Sequence, residues 1–207
     1  MHHIHHTEGI ILGSRNFGET GKYYSIFTRD LGLVYASAQG VRKMSSKLRF
    51  VLSDYSHIKV DLVKGKDLWR VTSASKTGSL EDISKDKENF VVFVSILNLL
   101  KRLLAGQEAN ETLFTDLVKG FNFLEKVGQK EPARNAFSIA DAGGDNLRNI
   151  EIIIVLRMLN NLGYIGAGET SENIIKSPFE ENLVFEVSKN RSKVLEQINK
   201  ALKETHL

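Results

Sequence analysis

Arg42, Lys43, Lys47 and Arg49 crowd into the segment Ser37-Ala-Gln-Gly-Val-Arg-Lys-Met-Ser-Ser-Lys-Leu-Arg-Phe50, and no acidic residue occurs from Leu31 through Ser53. Cations on a pliable, glycine- and serine-bearing backbone can neutralise successive phosphates, while the hydroxyls add hydrogen bonds. The chemistry to expect here is polyanion binding. The plainer alternative is a solvated loop of exposed lysines, and the lack of compensating acids weighs against it. Lys64, Lys66 and Arg70 lie in and after a later turn and would widen such a surface. Tyr23, Tyr24, Phe27, Tyr35 and Trp69 interleave with the cations. Exposed aromatics on a barrel face stack nucleic-acid bases. Aromatics at strand spacing are more often core, so most of the five are expected to be buried, Phe27 above all.

Other chemistries find little support. Gly18-Glu-Thr-Gly-Lys-Tyr23 has the look of a phosphate loop. However, Asn16 stands where the earlier glycine belongs, and Tyr23 where Ser or Thr should follow the lysine. Gly166-Ala-Gly-Glu169 lacks the preceding strand and third glycine of a dinucleotide fingerprint. Without cysteine there is no disulfide and no thiolate metal site. Beyond the N-terminal histidines only His57 and His206 remain, and His57 on an apparent strand reads as structural. No catalytic constellation emerges, so a non-enzymatic protein without cofactor is expected. The tract His2-His-Ile-His-His6 reads as a floppy terminus.

The charge is unevenly shared. Residues 1–80 hold twelve Lys/Arg against six Asp/Glu, a balance of +6; residues 81–207 hold sixteen against nineteen, −3, and the two sum to the overall +3. A basic first part suggests where an anionic partner is met. The most apolar stretch, Phe90 to Leu100, is too short to span a membrane, and no secretory leader is apparent. A soluble, cytoplasmic protein is the expectation.

Short strands must position these residues. Gly9–Leu12, Tyr23–Thr28, Leu33–Ala38, Tyr55–Leu62 and Leu68–Thr72 are β-like runs separated by turn signals; in the fourth, Ile58, Val60 and Leu62 alternate with Lys59 and Asp61. Five strands in about seventy residues suit an OB-type barrel. After Leu80 the period becomes helical. Phe90–Leu104 is expected to be a central helix buried nearly all round, capped near Asp86 and ended by Gly106. A second helix is expected from Asn110 to a stop at Gly128, a short one between Pro132 and Gly144, and a long one over Asn146–Leu162 with Ile150, Ile153, Ile154 and Met158 inward. Residues 163–178 read as loop, Leu183–Val187 as a short strand, and Ser192–Leu202 as a last helix. The fold class is therefore α+β: a five-stranded OB-type barrel over 1–80, then an α-helical bundle domain over 81–207.

Glu8-Gly-Ile-Ile-Leu12, Arg15-Asn-Phe-Gly-Glu19, Phe27-Thr-Arg-Asp-Leu-Gly32 and Ala38-Gln-Gly-Val-Arg-Lys43, in that order and spacing, resemble the N-terminus of the RecO family of recombination mediators. Leu156-Arg-Met-Leu-Asn-Asn-Leu-Gly-Tyr164 resembles the family's helix ending in Leu-Gly-Tyr. The resemblance implies binding of single- and double-stranded DNA, strand annealing, and work with RecR, the C-terminal tail of single-strand-binding protein (SSB) and, indirectly, RecA, in the nucleoid. It places Arg15, Lys22, Arg29, Arg42, Lys43, Lys47 and Arg49 in the family's basic OB stretch, as DNA contacts. Many members follow the Leu-Gly-Tyr helix with four zinc-ligating cysteines; residues 163–178 contain neither cysteine nor histidine, so no zinc is expected here. An RNA-binding OB protein and an interaction scaffold with no nucleic-acid role are the rival readings.

Overall fold

A computed structural model describes residues 3–129, 142–166 and 169–205. The short helix expected between Pro132 and Gly144 falls mostly outside them, as does His206. Five strands, β1 (Ile4–Phe17), β2 (Gly21–Thr28), β3 (Gly32–Ala38), β4 (His57–Lys64) and β5 (Trp69–Lys76), close into a barrel in the order β1-β2-β3-β5-β4. Every pairing is antiparallel except β3 with β5. That parallel closure, made after the connection carrying the short helix α1 (Leu48–Val51), gives the OB topology expected from the sequence. Strand alternation fills the interior. Ile58, Val60 and Leu62 are buried, as are Ile11, Tyr24, Ile26, Val34, Ala36, Trp69 and Val71.

Local chemistry sets the ends. The Asp30-Leu31-Gly32 turn joins β2 to β3, with the Thr28 hydroxyl donating to the Gly32 carbonyl at 2.8 Å and accepting from the Leu31 amide at 3.1 Å. Gly32 has φ +67°, and a Cβ there would come within 2.6 Å of the Glu108 amide nitrogen, so only glycine fits. In β1 the ladder skips a residue between Ile11 and Gly13, a bulge that sharpens the strand's bend.

The chain divides into two compact units, Met1–Glu81 with Leu97–Phe114, and Asp82–Ile96 with Thr115–Leu207. Among the described residues five further helices follow the barrel: α2 (Lys87–Leu103), α3 (Glu111–Gln129), α4 (Ala142–Asn161), α5 (Glu169–Lys176) and α6 (Glu181–Glu204). The Asp86 carboxylate accepts from the Asn89 amide at 2.8 Å, and the Asn110 side chain from the Leu113 amide at 2.9 Å, so α2 and α3 begin at the expected caps. Gly128 lies inside the last turn of α3 rather than beyond it.

Four expectations are corrected. Ile4–His6 is strand, paired with Asp61–Val63 of β4; His6 meets Asp61 at 2.6 Å and His5 packs edge-on to Trp69, which together fix these three residues of the tract that reads as floppy. The helix buried nearly all round is α4, where Ile150, Ile152, Ile153, Ile154, Val155, Leu156, Met158 and Leu159 are all buried; α2 keeps an open stripe through Val91, Ser95 and Asn98. Residues 169–176 within the expected loop are helical. Leu183–Val187 is the first part of α6 rather than a strand, because Leu183, Val184, Val187, Val194 and Ile198 share one buried helical face that a five-residue window hides. In the second unit the Phe93 and Phe121 rings meet edge-to-face at 4.7 Å, and Gly120 lets α3 approach Ile154 of α4 where a Cβ would lie 2.9 Å from its side chain.

Candidate nucleic-acid interface

The turn between β1 and β2, residues 18–20, and the connection leaving β3 converge. The Arg42 amide donates to the Thr20 carbonyl at 2.9 Å, and its guanidinium reaches the Gly18 carbonyl at 3.4 Å. Lys43 follows, its amide turned back onto the Gly40 carbonyl at 3.1 Å. Lys22, the second residue of β2, lies opposite Ala38, the residue from which this connection departs, and its ammonium lies 3.3 Å from the Ser14 hydroxyl. Arg15 faces Tyr23 across the β1–β2 ladder, its guanidinium 5.2 Å from the ring centre. Lys47 directly precedes α1, and Arg49 lies within it, near the Met44 thioether and over the Phe50 ring. Met44 (84% exposed) and Phe50 (71%) stand out from the same connection. Among the described residues no carboxylate pairs with Arg15, Lys22, Arg42, Lys43, Lys47 or Arg49.

Arg29 does not join them. It follows Thr28 at the far end of β2 from Lys22, roughly 20 Å of strand away at ~3.3 Å per residue. There it pairs with Glu8 at 3.1 Å and lies over the Phe114 ring. Sequence order places it in the basic stretch; strand direction carries it to the other end of the barrel.

The outer face of β2 and β3 adjoins the cationic turn. The registers line up Arg15, Tyr23, Ser37 and Arg70 as one row across β1, β2, β3 and β5, with Ser25 and Tyr35 paired beside it. Paired residues share a face, so these side chains project together. Of the five interleaved aromatics, Tyr24, Phe27 and Trp69 are core, Tyr23 is half-buried and Tyr35 is 49% exposed. Burial, with Asp54 nearby, pushes the Tyr24 phenol up to about 12. Tyr23, Tyr35, Arg15 and Leu68 line a cavity of about 360 Å³, which also receives Lys101 from α2. A second cavity, about 290 Å³, lies at the β4–β5 turn and is lined by Ser37, Lys64, Lys66, Asp67 and Arg70 among others. In OB barrels generally, oligonucleotides and oligosaccharides meet the strand 2–3 face and these two turns.

Sequence reasoning overlooked Lys101 and the Gly13 bulge. No local signal marks Lys101, which sits in a helical pattern far along the chain. The outward alternation of Tyr23 with Ser25 and of Tyr35 with Ser37 is the one legible trace of this face. Among the described residues no cluster of His, Asp or Glu is arranged to hold a metal, and no helix is long and apolar enough to cross a membrane. The end of α5 is pinned by Arg157, which donates to the carbonyls of Ile174 (2.9 Å) and Ser177.

Residues 1–80 match the family described as "Recombination protein O N terminal". The chain is similar to the DNA repair protein RecO of Heliobacterium modesticaldum, 31% identical over 121 residues, 58% of this chain and 44% of that one. It is also similar to the DNA repair protein RecO of Desulfitobacterium hafniense, 25% identical over 161 residues (78% and 52%), and to that of Caldicellulosiruptor saccharolyticus, 26% over 132 residues (64% and 54%). The chain thus spans about half the length of the curated relatives it matches.

Proposed function

We propose that the chain, whose residues 1–80 match the RecO N-terminal family, is a RecO-type protein that binds DNA through the cationic end of its barrel and serves DNA repair and recombination. The observation that carries this reading is the set of six cations left without carboxylate partners among the described residues, drawn from β1, β2 and the β3–β4 connection. Cations held this way release condensed counterions on meeting phosphates, so binding tolerates any sequence and weakens steeply with salt. Two complementary strands on one positive surface repel each other less, which favours annealing. By the same family relation, RecR, the SSB tail and RecA loading belong to the proposed activity, with the helical unit as the place for protein contacts. Arg15, Lys22, Arg42, Lys43, Lys47 and Arg49 are the proposed DNA contacts; Arg29, paired with Glu8, is left out of the set.

The test is binding of single-stranded and duplex DNA, and annealing of SSB-coated complementary strands, by wild type and by Arg42→Glu/Lys43→Glu. Both side chains are exposed, so the fold is expected to survive the double substitution. Affinity should fall at least about tenfold, and the salt slope should flatten by roughly one for each phosphate no longer neutralised. Unchanged affinity and slope would refute the placement of the site.

A further inference from the structure

Cations alone bind single strands and duplexes alike, yet the cavity on the outer face of β2 and β3 is more than a cationic patch. Its walls are the rings of Tyr23 and Tyr35, diagonal neighbours across the β2–β3 ladder, since Tyr23 pairs with Ser37 and Tyr35 with Ser25. Leu68 of the β4–β5 turn adds apolar surface and is itself exposed. The bulge in β1 brings Gly13 to the wall with φ +147°, and its missing side chain leaves room for Lys101, whose ammonium would lie 3.4 Å from a Cβ at that position. Arg15 and Lys101 both line the cavity, and among the described residues no carboxylate does. An exposed tyrosine ring beside a second, half-buried one, an apolar edge, hydroxyls and two cations are complementary to a nucleotide with its base unstacked. A base inside a duplex offers no free face.

We infer that this cavity is a base-stacking site. It takes one unpaired nucleobase of a single strand against Tyr35 and Tyr23, with the flanking phosphates on Arg15 and Lys101. The site rests on the DNA-binding reading above and narrows its ligand: the cationic connection holds any phosphate backbone, whereas this cavity selects strands with free bases. Tyr23 is braced by Phe17, ring centres 4.5 Å apart, and by the Arg15 guanidinium, so its ring is held in place before a base arrives. Tyr35 makes the accessible platform.

The experiment compares an oligothymidylate of about 16 nucleotides with an abasic strand of equal length, which keeps the phosphates and removes the bases. Stacking on aromatic side chains is worth ~1–3 kcal/mol per base, so wild type should prefer the oligothymidylate by about 5- to 150-fold. Tyr35→Ala should erase most of that preference while leaving affinity for the abasic strand unchanged; Tyr35→Phe should retain it. Tyr35 projects from the outer face of β3, so the barrel of each variant should stay intact, which circular dichroism checks. Equal wild-type affinity for the two strands would overturn the inference, as would an equal loss on both strands in Tyr35→Ala. Either result leaves the phosphate-binding reading standing, because that reading is judged by the abasic strand and by Arg42→Glu/Lys43→Glu.

Discussion

Arg29 and Glu8 are joined twice across the end of the β1–β2 ladder, by an ion pair at 3.1 Å and by the Arg29 amide donating to the Glu8 carbonyl at 2.9 Å. The guanidinium also lies 5.5 Å from the centre of the Phe114 ring. A cation so engaged has a structural occupation. Arg29→Gln should therefore leave single-stranded DNA affinity within about twofold while lowering stability by ~1 kcal/mol, from a half-exposed ion pair and a cation–π contact. Fluorescence anisotropy and urea denaturation on the same preparation separate the two effects. A loss of affinity as large as that of Arg42→Glu/Lys43→Glu would return Arg29 to the interface.

His57 stands beside this pair, buried, its Nε2 3.8 Å from the Glu8 carboxylate. Burial pushes its imidazole below the ordinary value, with Arg29 acting in the same direction and Glu8 opposing. The neutral ring is thus favoured in the fold, while the unfolded chain takes up a proton near pH 6.5. The stability this supplies is complete above about pH 6.5 and is lost as pH falls from there through the folded value. Urea midpoints should drop on acidification below about pH 6.5, and His57→Leu should flatten that part of the profile. An identical slope in the variant would assign the acid sensitivity to other groups.

Arg157 ties the second unit together. Its guanidinium donates to the Ile174 carbonyl and to Asp116 at 3.3 Å, reaches the Ser177 carbonyl, and lies 4.1 Å from the centre of the Phe179 ring. One buried cation here engages α3, the last turn of α5 and the residues just after it. Arg157→Ala should cost ~3 kcal/mol, because it strands a carboxylate and two carbonyls. It should also expose the Asn173–Ser177 amides to faster hydrogen exchange, while the barrel amides stay protected. Uniform exchange across both units would show that Arg157 acts on the whole chain.

Much of the barrel is legible because strands write their own faces. Ile58, Val60 and Leu62 alternate with Lys59 and Asp61, and the turn residues mark the breaks, so five strands emerge without coordinates. The Asp86 and Asn110 caps are equally local, each decided within three residues. Errors cluster where the deciding contact lies far along the chain. His5 and His6 become strand because β4 and Trp69 receive them; Leu183–Val187 becomes helix because its apolar residues continue a face that ends at Ala201.

The candidate site divides along the same line. Composition and spacing determine that the stretch from Leu31 through Ser53 is cationic and free of acids, since charge is a property of each residue. Tertiary structure alone decides which cations meet. Antiparallel strand direction sends Arg29 to the opposite end from Lys22, register sets Arg15, Tyr23, Ser37 and Arg70 in one row, and Lys101 reaches their neighbourhood from a helix that no barrel pattern announces. A chain of letters carries charge and period; the distance between two side chains exists only once strand pairing and packing have closed the loops between them.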